Sequence, residues 1–160
     1  MFKLIIQKWI KINRNCRNLT DDFSKQKIIW AETMRIHKGD TDNFPRFGFE
    51  ENGEFVTDKT CFFATGKQIK FIVGVLNSIV GRYLLSQYVS ILDDGGYLMQ
   101  KTYLEKIPIA PYSLKIEKLV EQKHNGKNEK EINDLVYQLY ALNDDEILFI
   151  ENAKNQLLQR

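Results

Sequence analysis

The sequence predicts an α+β fold, a small mixed or antiparallel β-sheet packed on a central helix and followed by a C-terminal helical segment. Three observations carry this. Residues 67–88 place Ile69, Ile72, Val73, Leu76, Ile79, Val80, Tyr83 and Leu84 at steps of three and four, which gives one wide apolar face on a helix. Short runs rich in β-branched and aromatic residues, 27–36 and 60–64, precede it and read as strands. From Ser113 onward the pattern is wholly helical.

Only Lys67, Lys70 and Arg82 carry charge in 67–88, so most of the circumference of that helix is expected to be buried. Gln, Asn, Ser and Arg interrupt its apolar residues too often for a bilayer span. Along the chain, 1–12 fits a short helix loosely, and a strand over 2–6 stays open as an alternative. Residues 13–22 are polar and turn-like. The run KIIWAETMRI (27–36) reads as one buried strand, and 37–45 as a loop. Asn52–Gly53, between runs holding Phe47, Phe49, Phe55 and Val56, predicts a hairpin. The strand over 60–64 ends at Thr65–Gly66. Residues 89–92 form a short strand or a helix end, the glycine turn DDGGY follows at 93–97, and 103–109 reads as a last short strand.

Ser113 is placed to cap a helix carrying Ile116, Leu119 and Val120 that ends near Gly126. Asn128 with Glu131 is a capping pair for a helix over 129–142, with Ile132, Leu135, Val136, Leu139 and Tyr140 as its stripe. Asn143 with Glu146 repeats the signature for a final helix through Leu158, with Ile147, Leu148, Ile150 and Leu157 or Leu158 facing inward. Three parts are expected: a basic N-terminal segment (1–26), a central unit (27–112) and a helical spacer (113–160).

A chain of 160 residues suits one domain, or one with a helical extension. The net charge of +2 is uninformative, but its distribution is not. Residues 1–18 hold Lys3, Lys8, Lys11, Arg14 and Arg17 and no acid. Residues 113–160 hold seven basic and nine acidic residues, a net of −2, which leaves +4 in the first 112. Such asymmetry is compatible with a nucleic-acid face, although a solvated surface is the plainer reading of charge alone. Gln7, Lys8 and Lys11 break the N-terminal apolar run, so no signal peptide is read. The expected compartment is cytoplasmic, with Cys16 and Cys61 reduced and Cys61 in the core.

Chemistry-bearing patterns are sparse. There is no glycine-rich cofactor loop after a strand and no Asn-Pro-Pro-aromatic tetrapeptide, so the chain alone is not expected to methylate DNA. Glu121, Lys123 and Asp58 could be drawn together as a metal-dependent nuclease centre, but such matches arise readily in a chain rich in Glu and Lys. His37 and His124 are isolated and, with the two cysteines, lack zinc-ligand spacing. No catalytic residue, metal ligand or cofactor is assigned, and the chain is read as no enzyme by itself.

One ordered set of motifs stands out: Cys61–Phe62–Phe63, Leu76–Asn77–Ser78, Gly95–Gly96–Tyr97, and YLEKIPI at 103–109. A further match, LVYQLYALNDDEILFIE, lies at 135–151. In this order the motifs resemble the TaqI-like C-terminal specificity domain that follows the methyltransferase domain in many type II restriction-modification enzymes. They are also similar to the target-recognition domains of type I restriction specificity subunits. The resemblance covers roughly 27–151. It implies sequence-specific binding of double-stranded DNA in service of a methyltransferase or nuclease domain of the same enzyme or of a partner subunit, with no membrane involved. A module that docks a partner subunit through its acidic helices and makes no DNA contact is the alternative.

DNA reading needs Lys or Arg on phosphates and polar side chains at base edges. Three groups are candidates. Arg35, His37, Lys38, Asn43 and Arg46 flank the loop after the first strand. Gly95, Gly96, Tyr97, Gln100, Lys101 and Thr102 form the glycine turn and its exit, where glycine would let backbone amides approach a phosphate. A plain tight turn is the competing reading. Lys8, Lys11, Arg14 and Arg17 make up the N-terminal cluster, for which a solvated face is an equal reading. Phe44 and Phe47 are read as core.

Overall fold

A computed structural model describes residues 22–35, 46–57, 60–93, 96–122 and 126–157. The order is β1 (Lys27–Ala31), β2 (Thr33–Met34), β3 (Gly48–Glu50), β4 (Cys61–Thr65), α1 (Ile69–Asn77), α2 (Ile79–Tyr88), β5 (Ser90–Ile91), β6 (Tyr97–Leu98), α3 (Lys101–Leu104), α4 (Leu114–Glu121), α5 (Gly126–Leu139) and α6 (Asp144–Leu157). The class is α+β as expected, but the strands form two antiparallel sheets, β3-β1-β4 and β2-β6-β5.

The strand expected over 27–36 divides at Glu32. Its N–H donates to Thr60 O (2.9 Å), and its carbonyl accepts from Met99 N (2.7 Å). One residue thus hands the backbone from the first sheet to the second. Ile28 and Trp30 are buried, and the Trp30 indole donates to Met99 O at 2.9 Å. On the other face of β1 Lys27 is fully buried, bonded to Phe23 O and paired with Glu50. Burial alone would raise the Glu50 carboxyl. The Lys27 ammonium and the backbone N–H groups of Glu54 and Asn52 outweigh it and hold the carboxyl below its ordinary value.

The Asn52–Gly53 hairpin does not form. Gly53 takes the left-handed conformation (φ +72°), but residues 54–57 are not a strand, and β3 pairs with β1. The turn is held instead by the Glu50 carboxylate and by close packing on Ser24, whose carbonyl would lie 2.1 Å from a Cβ at position 53.

The single helix expected over 67–88 is two helices bent by 80° at Ser78. Ser78 is extended, donates its hydroxyl to Val75 O (2.6 Å) and accepts from Gly81 N (3.1 Å), capping α2. Ile79 N donates to Asn133 Oδ1 at 2.8 Å. A Cβ at Gly81 would meet Val75 O at 2.1 Å, so the bend requires glycine there. Residues 69–76 are buried throughout, as a central helix requires. No single described helix is long and apolar enough to cross a membrane.

Residues 103–109 are also not a strand. After α3 the buried stretch Ile107–Ala110 has no regular structure and is held by Tyr140, whose hydroxyl donates to Pro108 O (2.7 Å) and accepts from Ala110 N (3.2 Å). Burial pushes that phenol up to about 12. Proline lacks the N–H a ladder needs, so a side chain does the work of a strand partner.

The Ser113 side chain caps nothing, and α4 ends at Glu121, whereas Gly126 opens α5. Asn128 therefore sits inside the first turn of α5. The last capping box forms as expected: Asn143 N donates to Glu146 Oε2 (2.9 Å), and Glu146 N to Asn143 Oδ1 (3.0 Å). Leu148 is exposed, contrary to its expected inward position, while Ile150 is buried. Position 113 is no break in the core, for Ile116 on α4 is fully buried and would lie 2.8 Å from a Cβ at Gly74 of α1.

Candidate nucleic-acid interface

Two of the three candidate groups meet through strand register. In the second sheet Thr33 opposes Leu98, and Met34 opposes Tyr97. One step further brings Arg35, where the basic loop leaves β2, opposite Gly96. On the other edge of β6, Ser90 opposes Leu98 and Ile91 opposes Tyr97, and Leu92 N donates to Gly96 O at 2.7 Å. The glycine turn is thus the loop of a β5–β6 hairpin. Asp93 and Gly96, the described ends of that turn, therefore lie at the same end of the small sheet as Arg35, the residue after β2.

The same loop returns at Arg46. Phe47 is clamped there, its N–H donating to Asn77 Oδ1 and its carbonyl accepting from Asn77 Nδ2, both at 2.9 Å. The Phe47 ring is buried against Trp30, with centroids 5.9 Å apart. Continuing the β1–β3 register puts Arg46 beside Ala31, next to the junction that leads into β2. Both basic ends of the loop, Arg35 and Arg46, are exposed.

Arg46 also stands at the mouth of a cleft of about 470 Å³ between β3, α1, α2, α4 and α5. Lys70 lies inside it, donating to Glu51 Oε1 (2.7 Å) and Glu121 Oε1 (2.8 Å) and passing 5.6 Å from the Phe49 ring centre. The hydrogen bonds it donates to Glu121 and then Glu51 raise the Lys70 amine above its ordinary value and outweigh its burial. Glu121, the carboxylate noted for a nuclease centre, is occupied in this ion pair, and Asp58 and Lys123 lie outside the described residues. Among the described residues no three His, Cys, Asp or Glu side chains converge as metal ligands.

The remaining candidates fall into place less well. Tyr97 is 4% exposed and belongs to the core, and Gly96 before it is buried as well, which corrects their reading as DNA-contacting positions. Gln100 precedes α3, and Lys101 pairs with Glu105 at 3.2 Å. Both follow the far end of β6, four or more residues from Gly96 at roughly 3.3 Å each, so they do not share the hairpin tip. Thr102 is exposed on α3. Lys8, Lys11, Arg14, Arg17, His37, Lys38, Asn43, Phe44 and Gly95 lie outside the described residues. Cys61 is a free, half-buried thiol rather than a core one. Two polar anchors were missed by sequence reasoning, Lys27 and Asn77. A lysine opening an apolar strand was the available signal for the first, and the second had none beyond its motif.

The sequence matches no protein-family model, and no curated protein matches it significantly.

Proposed function

We propose that the chain is a DNA target-recognition module of a restriction-modification enzyme, reading a short duplex site to position a methyltransferase or nuclease domain. The observation that carries this is the register of β2, β6 and β5. It brings Arg35 to the end of the sheet where β5 and β6 are joined, while Asn77 clamps Phe47 next to Arg46. The motif order described above adds support, because Asn77 and Ser78 lie at the bend between α1 and α2, and Gly96 and Tyr97 lie where β5 and β6 pair. Arg35 and Arg46 serve as phosphate anchors. The hairpin carries Asp93, exposed at its start, and Asp94 beside it in sequence. Carboxylates repel a phosphate strand but accept from the cytosine amino group, so Asp93 suits a base edge rather than a phosphate.

The test is fluorescence anisotropy of the full chain on a duplex pool at rising salt. Each phosphate contact contributes a slope of about 0.9 in log affinity against log salt. Replacing Arg35 and Arg46 with Ala is expected to lower the slope by about 2 and weaken all duplexes alike. An unchanged slope, or no duplex binding by the parent chain, overturns the reading.

A further inference from the structure

The outer face of α6 carries apolar side chains that the core leaves uncovered. Leu148 and Phe149 are 58% and 62% exposed, although Ile150 beside them is buried. Next to Phe149 lies a groove of about 480 Å³ floored by Val80, Leu84, Pro108 and Leu142. Its walls are already set. The Tyr83 ring meets Phe149 edge-on at 6.1 Å, and the Tyr140 hydroxyl holds Pro108 at 2.7 Å. Asp145 and Glu146 stand on the rim, and no Lys or Arg is among the described residues that line the groove. Residues 126–157 as a whole carry seven acidic and three basic residues, a net of −4.

We propose that this groove docks a cationic amphipathic helix of a partner protein. The apolar side of the helix inserts beside Phe149, and its Lys or Arg side chains lie over Asp145 and Glu146. A preformed apolar trough takes anchors at i, i+3 or i+4, and i+7 of such a helix. The acidic rim chooses its charge, since an acidic helix would meet like charges there. The surface is built from α2, α6 and the residues Pro108 and Tyr140–Asn143 and includes no residue of β2, β5 or β6, so it goes beyond DNA reading and does not depend on it.

The test uses the full chain and a fluorescein-labelled synthetic Leu/Lys helix of about 18 residues, long enough to be helical. A Leu/Glu helix with the same apolar pattern and a scrambled Leu/Lys peptide are the controls. Saturable binding of the Leu/Lys helix alone is expected, weakening as salt rises and gaining amide-exchange protection at 143–150. Phe149→Glu and Leu148→Glu each reduce affinity about tenfold or more, and Asp145→Lys reduces it less. All three positions are exposed, and an unchanged melting curve confirms folding. Equal binding of the Leu/Glu helix, no saturable binding, or indifference to Phe149→Glu overturns the proposal. So does sedimentation showing a dimer that Phe149→Glu converts to monomer, which assigns the groove to a second copy. Duplex-DNA binding measured on Phe149→Glu separates this proposal from DNA reading, because a failure of either leaves the other readout intact.

Discussion

The strand-bearing part of the chain and its C-terminal helices are tied together by different kinds of link. Around the sheets the decisive bonds reach far along the sequence: Lys27 to Glu50, Phe47 to Asn77 and Trp30 to Met99 are 23, 30 and 69 residues apart. In the helices α5 and α6 the features that shape each helix are near neighbours, although Asn133 and Tyr140 also reach Ile79 and Pro108. Ile132, Val136 and Tyr140 form one buried stripe, and the Asn143–Glu146 box closes within three residues. The difference teaches where stability is concentrated. A helix satisfies its own backbone and needs only a stripe and a cap. Short strands depend on partners that the chain brings from elsewhere.

This contrast can be broken by substitution. The largest effect is expected at Lys27. Removing one partner of a buried pair leaves an uncompensated charge, so Lys27→Ala is expected to cost about 3–5 kcal/mol in chemical denaturation. The double variant Lys27→Met with Glu50→Gln is expected to lose much less, because no lone charge then remains. A double variant as unstable as Lys27→Ala would show that packing rather than charge governs the site. Asn77→Ala comes next at about 2 kcal/mol, since it strands the N–H and the carbonyl of Phe47. Faster amide exchange at Phe47 is the accompanying readout. Asn143→Ala is the smallest of the three, at about 1 kcal/mol, because it removes one cap. If it cost as much as Lys27→Ala, the distinction between local and distant links would fall.

Acid sharpens the same comparison. The folded-state Glu50 carboxyl lies below its ordinary value of 4.5. A depressed carboxyl contributes stability above the unfolded value, and that contribution is lost as pH falls through the folded one. The melting temperature of the parent chain is therefore expected to drop more steeply below about pH 4.5 than that of Glu50→Gln. Parallel profiles would remove Glu50 from the account.

Several elements were legible because their signals are local. The period of 27–31, the apolar faces of 69–76 and 132–140, and the Asn143 cap all appear where expected. Asn52–Gly53 shows the limit of such reading. Its left-handed glycine was legible, but β3 pairs with β1, residues 54–57 form no strand, and the Glu50 carboxylate holds the turn. The real hairpin closed at Asp93–Gly96, where Ile91 and Tyr97 have matching partners. Within the candidate interface, residue types pointed to Arg35 and Arg46, which are exposed, and to Gly96, which is buried. They could not distinguish buried Tyr97 from an exposed ring.

The sequence by itself determined the class, the central apolar segment and the helical C-terminal part, because spacing along a chain records which face of an element is apolar. Only the tertiary structure decided the bend at Ser78, the division of one strand between two sheets, and the pairing of β2 with β6. Each of those rests on hydrogen bonds between residues far apart in the chain, such as Asn133 to Ile79 and Met99 to Glu32. A backbone group takes whichever partner the folded chain brings to it, and no neighbouring residue announces that partner in advance.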